Sequence, residues 1–535
     1  MSVFHLKTGG SKSGTGASTP GDWTNANCYG SWVNVTAALA AGADGDSIIV
    51  DDEMFVAPAN SASGVNVNGT VYVRSRSGDP LISGVIGSSA TGALWLTNST
   101  THSANIVYQN LTLRKSVTHT DTSRPVIHHM SQRTGNVTFT NCKFTDINIS
   151  TASGTNWYYG LCRNDSAAGY GVVTRFEDCG FERITGAFFG YGVLFAYTAD
   201  STAKRIEVVR PTIRTIVGVN LMGGFVASNG SQLRFWDVDL DGWIASTTGA
   251  TTSGGVLKIN TYGVGSSIYG RRATFRNVQV DANVADTMIS TSAPFDIKGV
   301  VGEHVTNNSS LKTAGQGALF MGIGANAQGR IENIRAYDCH ANYGAAAYWS
   351  DGAGGTFRNI WAEECSVGTG IIYKGGGGDL SGDIAVVKNC VQRSSVDEPS
   401  LITDALCFYG HIHATTGDHN AAVSLNDIVC EGNTYLSGKS AVMFNNPHAS
   451  YVLNGKAKSI VVRDNTNGIE MKGNAVNLAA TSCNLVGGAT GFVQNQGSGT
   501  LSASGTVDTV VSVKGKLAAN ADIDDRWPSS LRVAA

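Results

Sequence analysis

Along most of the chain the apolar positions follow one short template: apolar, any residue, Asn or Asp, apolar, any residue, apolar. It runs from Tyr108 to Leu113 around Asn110, from Phe139 to Phe144 around Asn141 and from Phe176 to Phe181 around Asp178. It returns around Asp237, Asn277, Asn333, Asn359 and Asp427, with partial copies at Asn389 and Asp464. The copies recur at roughly 26 to 40 residues or near twice that, inside the window of solenoid repeats. Alternation on either side of the Asn predicts two short strands, each with one buried face. Both neighbours of the Asn cannot point inward on a straight strand, so the chain bends there. Asn and Asp are the non-glycine residues that best tolerate the left-handed backbone such a bend needs. Stacked coils would then align Asn110, Asn141, Asp178, Asp237, Asn277, Asn333 and Asn359 in one column at the strand spacing of about 4.8 Å.

A different period precedes the repeats. Ser31 to Ala41 has helical apolar spacing, opens on a Ser cap and stops near Gly42. Gly45 to Val50 then reads as a turn and a first buried strand. A solenoid must close its first coil, because an open end exposes an unpaired edge and an open core. The expected fold is therefore all-β, a right-handed parallel β-helix with an N-terminal capping helix. Residues 1–45 would form an extension and the cap, 46–470 the coils, and 471–535 last coils or a small β-rich tail.

The stretch from Asp22-Trp23 through Ala37-Ala38-Leu39 to Ile48-Ile49-Val50 resembles the opening of the pectate-lyase-like β-helix superfamily. The Asn bends resemble that superfamily's asparagine ladder. The likeness spans roughly residues 22–470. It implies a fold, and one fold carries many functions. Similar chains occur among tailspikes and other virion-surface proteins of tailed phages, commonly as homotrimers.

Composition narrows the function classes. Charged residues are 15% of the chain, Gly numbers 66 and the formal net charge is -3, with no basic run, which argues against a nucleic-acid partner. No stretch is long and apolar enough for membrane insertion, and Met1 to Gly14 lacks the apolar core of a signal peptide. The ten cysteines are scattered singly, which predicts reduced thiols. Cys142, Cys179 and Cys390 share a template position and read as small core residues. His411, His413, Asp418 and His419 read as surface polar groups rather than a metal site. No metal and no cofactor is expected.

Candidate chemistry is sparse. The fourth residue after each bend is Thr145, Glu182, Asp241, Asp281, Tyr337 and Glu363, an outward column rich in acid. Asp241 and Asp281 on neighbouring coils would lie about 5 Å apart, the spacing of a retaining glycosidase pair. Asp239 shares a face with Asp241. The alternative is a solvated acidic edge. Trp157, Tyr158, Tyr159, Tyr348 and Trp349 fall between template copies, hence in loops or corners, as sugar-stacking platforms or subunit contacts, with simple core packing as a third reading. Lys374 with Gly375 to Gly378 reads as a flexible loop without Walker spacing. Arg210-Pro211-Thr212-Ile213-Arg214 resembles the arginine motif of pectate lyases, with departing spacing and no calcium-binding Asp set. No Ser-His-Asp order stands out.

The combined expectation is a phage virion-surface structural protein, made in the host cytoplasm, with an attachment or glycan-binding role. Its partners would be other virion proteins, copies of itself in a homotrimer, and bacterial surface polysaccharide. The helix starts near residue 31, which favours a directly attached decoration subunit over a tailspike carrying its own particle-binding domain. The alternatives are a polysaccharide lyase or glycosidase using Asp239, Asp241 and Asp281, and an exported bacterial surface protein.

Overall fold

The computed structural model describes residues 1–506 apart from 40–43, 53, 58–68, 89, 91–94, 98–103, 121–125, 131–134, 151–159, 165–172, 191–193, 198–203, 222, 247–254, 261, 282–286, 308–316, 394–402, 413–419, 465 and 486–489. The chain is all-β, and its described strand pairings are parallel. Partners lie from 23 residues apart, as in Leu453↔Val476, to 44 apart, as in Val3↔Ser47. Parallel pairing at such offsets stacks successive turns of chain on one another. The described residues divide into two compact units, one within 1–267 and the other within 268–506.

Most of the described turns bend twice, not once. In the first unit Asn110, Asn141, Asp178, Arg210 and Asp237 stand in register with φ between 47° and 56°. Five residues further on, Asp146, Arg183, Thr215 and Gly242 form a second left-handed column. The second unit repeats the scheme. Arg272, Gly299, Asn333, Asn359, Ile384, Asp427, Ser459 and Ser482 make one column. Asn277, His304, Asp338, Glu364, Asn389 and Gly432 make the other.

This corrects the single column expected from the template. Asn277 is a second-bend residue, five positions after Arg272, and does not stack with Asn333. The template matched both bends because an inward residue follows each of them, as Ile334 follows Asn333 and Cys339 follows Asp338. Cys390 likewise follows a second bend and stacks with Cys365 and Cys339, whereas Cys142 and Cys179 follow first bends. All ten thiols are free and buried, and desolvation pushes Cys142 up to about 12.

Side chains join the coils at the bends. Asn141 Nδ2 donates to Asn110 Oδ1 at 2.8 Å, and Asn359 Nδ2 donates to Asn333 Oδ1 at 2.7 Å. Where Arg replaces Asn, its fork grips the carboxylate one coil away. Arg210 donates to both oxygens of Asp178 at 2.7 and 2.8 Å, and Arg183 to both of Asp146 at 2.6 and 3.0 Å. Two bend residues are β-branched, Thr215 at φ 55° and Ile384 at φ 60°, and Ile384 offers no polar group to the column. It is held by packing against Trp361 and Val386. Inside, rings stack at nearly the strand spacing, with Tyr108 on Phe139 at 4.6 Å and Phe144 on Phe181 at 4.8 Å. Phe357 leans into space left by Gly382, where a Cβ would stand 2.0 Å from the ring.

The capping helix is not seen. A helix does span Trp32–Leu39 and buries Val35, Ala38 and Leu39, but the open edge is closed by other residues. The strand Val3–Leu6 pairs with Ser47–Val50 on one side. On its other side Ser18 N donates to Val3 O at 2.7 Å, Tyr29 N to His5 O at 2.8 Å, and Lys7 N to Tyr29 O at 3.0 Å. The coils therefore begin at residue 3, within the stretch expected to be an extension. At the far end, Asn467–Leu485 pairs in parallel with Thr490–Ser498 and Leu501–Thr506, so stacking continues past residue 470. The stretch 507–535 lies outside the described residues.

Two predictions follow from the bends. Asn359→Ala should destabilise the protein by about 2–4 kcal/mol, the left-handed backbone cost plus the lost hydrogen bond to Asn333. Asn359→Gly should cost less because it keeps the backbone freedom, and denaturant midpoints compare the two. Acid should weaken the protein as well. Hydrogen bonds from Arg183, Arg210 and Arg175 hold Asp146, Asp178 and Glu177 below their ordinary values of 3.8, 3.8 and 4.5. A depressed folded value gives stability that is complete above the ordinary value and lost as pH falls through the folded one. The urea midpoint should drop between pH 5 and about pH 3, and Arg210→Ala should shrink that drop.

Candidate functional site: a groove on the second unit

Six stacked strands of the second unit carry one outward row in register: Thr356, Ser381, Ser424, Lys456, Ala479 and Ser502. The row owes its order to the inward residues beside it. Leu380, Val423 and Leu478 are buried, and strand alternation turns their neighbours outward. Gly355 and Gly455 complete that inward row without side-chain bulk. Two positions upstream stand Asp379, Ala422, Asn454, Asn477 and Thr500. Together these rows line a groove of about 670 Å³. Six coils at about 4.8 Å give it a length of roughly 24 Å.

The groove wall is a hydrogen-bonded ladder. Asn477 Nδ2 donates to Asn454 Oδ1 at 3.1 Å, and both N and Oγ1 of Thr500 donate to Asn477 Oδ1 at 3.1 Å. Ala422 N donates to Asp379 Oδ1 at 2.9 Å, and Gln328 Nε2 to Gly352 O at 2.9 Å. The lining thus combines hydroxyls and amides with one ammonium, Lys456, and one carboxylate, Asp379. These groups are set in a lining that is mostly apolar by area, a combination that suits a sugar polymer with apolar ring faces and polar hydroxyl edges. A lone carboxylate gives no acid and base pair for cleaving it.

The residues singled out for catalysis lie elsewhere. Asp239 and Asp241 point outward from Gln232–Ser246 in the first unit. Arg214 pairs with the Asp239 carboxylate and also donates to the carbonyls of Asp239 and Ile213 at 2.9 Å. The column through Asp241 runs Thr145, Glu182, Arg214, Asp241, so a guanidinium separates the two acids. Asp281 closes a strand of the second unit four residues after a second bend, whereas Asp241 stands four after a first bend. Within the second unit Asp281 does not share a row with Tyr337 and Glu363, because Arg276, Glu303, Tyr337, Glu363, Lys388 and Glu431 make up the row that follows the first bends. The Asp281 side chain lies outside the described residues. In the Arg210 to Arg214 motif, Arg210 is a bend residue and Arg214 an ion-pair donor.

The aromatic candidates divide. Trp157, Tyr158 and Tyr159 lie outside the described residues. Tyr348 and Trp349 are neither looped nor exposed: they belong to the buried strand Ala347–Ser350. Tyr348 stacks on Tyr373 at 4.7 Å, and Trp349 packs on Phe320 at 5.6 Å. This third strand of each turn was missed because it carries no Asn bend. Its register is nevertheless regular, Phe320 to Ala347 to Ile372 to Phe408. Tyr409, in the same region, donates to Asp404 at 3.1 Å, and Asp404 pairs with Lys472 at 3.0 Å.

Lys374 is not in a flexible loop. Its ammonium is buried and donates to the carbonyls of Gly375, Gly376 and Gly377 at 3.0, 2.8 and 2.6 Å. The glycine run lets the backbone fold around the charge, with Gly376 and Gly378 at positive φ. His413, Asp418 and His419 lie outside the described residues, and no group among those described could hold a metal ion. No described helix is long and apolar enough to cross a membrane.

No protein-family model matches this sequence, and no curated protein or solved structure matches it either.

Proposed function

We propose that this chain is a right-handed parallel β-helix of a phage virion surface, which holds bacterial surface polysaccharide in the groove of the second unit without cleaving it. The single observation that carries the binding role is the in-register row from Thr356 to Ser502, beside the amide ladder of Asn454 and Asn477. Hydroxyl and amide groups repeating every coil suit a polymer whose own hydroxyls repeat along its length. Right-handedness follows the rule that parallel crossovers are right-handed in about 98% of cases. The virion setting, the homotrimer and the partnership with other virion proteins rest on the resemblance of the repeats and the opening segment to phage surface proteins. A depolymerase acting through Asp239, Asp241 and Asp281 is the weaker reading, because Asp239 is committed to Arg214.

Binding to a panel of capsule and lipopolysaccharide preparations tests the proposal, with sedimentation equilibrium for the trimer. Ser424→Trp, which fills the groove, should weaken glycan binding at least about tenfold, or 1.4 kcal/mol. Asp241→Asn should leave it unchanged, and no new reducing ends should appear. Binding that ignores Ser424→Trp would sink the groove, and cleavage abolished by Asp241→Asn would restore the depolymerase.

A further inference from the structure

The second bends of the second unit bring together a serine, a histidine and an aspartate. Asp338 is a bend residue with φ 49°, and two residues later His340 presents its ring on the same side. His340 Nε2 donates to Asp338 Oδ1 at 2.8 Å. One coil on, Ser366 is in register with His340, and its Oγ lies 2.6 Å from His340 Nδ1. One coil back, His304 Nδ1 donates to the other oxygen of Asp338 at 2.6 Å. Asp338 is thus held through both oxygens. It fixes His340 in the tautomer whose Nδ1 accepts the serine proton.

We propose that Ser366, His340 and Asp338 form a nucleophilic site for carboxylic esters of small acyl groups. Nucleophile, base and orienting carboxylate stand in sequence within hydrogen-bond reach, the arrangement by which such triads are recognised whatever their chain order. The site is open: the side chains of His340 and Asp338 are 30% and 36% exposed. The next position in Ser366's row is Val391, an apolar side chain left 44% exposed. That ledge suits a short acyl chain and leaves no depth for a long one.

In the reaction Ser366 Oγ attacks the ester carbonyl carbon while its proton passes to His340 Nδ1. The tetrahedral adduct collapses as the carbon–oxygen bond to the alcohol breaks, and the alcohol leaves with the proton from His340. Water then attacks the acyl carbon and gives a proton to His340; the bond from that carbon to Ser366 Oγ breaks, Oγ takes the proton back from His340, and the carboxylic acid leaves. No oxidant, reductant or metal enters. The site uses none of the groove residues, so it stands or falls apart from the glycan-binding reading.

The test is hydrolysis of p-nitrophenyl acetate by the full chain, with a fluorophosphonate probe and peptide mapping to locate the nucleophile. Phosphonylation of Ser366 is expected, with kcat/KM reduced at least about 10²-fold in Ser366→Ala and in His340→Gln. Circular dichroism of both variants should match the parent. The mapping needs no variant, so misfolding cannot hide the answer. Absence of label on Ser366, or hydrolysis that survives Ser366→Ala in a folded protein, would overturn the site and reduce the cluster to a clamp between coils.

Discussion

Most described turns of this chain pass through the left-handed region twice, at positions five residues apart, and each repeats the manoeuvre directly over the last. That constraint selects the residues at the bends. An L-residue there costs about 1–2 kcal/mol, so the position favours Gly, Asn and Asp. Stacking supplies a second term, because groups that align every coil can bond along the column. Asn359 on Asn333 satisfies both demands with one amide type. Arg210 satisfies the second through a bidentate grip on Asp178, although nothing in its side chain favours the backbone. The ladder is therefore a rule about complementary pairs across coils more than a rule about asparagine.

Complementarity also orders the charges on the outward faces of the first unit. Stacked like charges about 4.8 Å apart repel along the column. In the first unit guanidinium groups fall between the acids: Arg214 between Glu182 and Asp241, and Arg175 beside both Glu177 and Glu207. A chain with few charges spends many of them holding adjacent coils together. Lys374 applies the same economy to the interior, where a buried ammonium gathers three carbonyls and gives the Gly375 to Gly378 turn its shape.

Much of the architecture was legible in residue order, and the gaps have physical causes. The inward apolar positions and the bends at Asn110, Asn141, Asp178, Asp237, Asn333 and Asn359 could be read because one-sided burial and left-handed backbone both restrict residue type. Two bends five residues apart were indistinguishable, since an inward residue follows each, and Asn277 was placed in the wrong column as a result. The third strand of each turn, with Tyr348 and Trp349, has no bend residue to announce it. Edge closure by Ser18 and Tyr29 rests on backbone hydrogen bonds, which leave almost no trace in side-chain pattern. The groove was invisible for a related reason: Thr356, Ser381 and Ser424 are unremarkable surface residues until register aligns them.

Register is also what the Ser366 cluster required. Asp338 and His340 sit two apart on one coil, and Ser366 follows His340 by 26 residues, the same step that separates Asn333 from Asn359. A search for familiar catalytic motifs looks for fixed local spacing, whereas a solenoid sets its spacing by the length of a turn. Coil length is thus a functional variable. Inserting residues between Cys339 and Cys365 would lengthen a loop without disturbing either bend, provided the register held. Shifting the register by one residue would turn Ser366 inward and His340 away from it. The same stacking rule that holds the coils together therefore decides which polar side chains can ever meet.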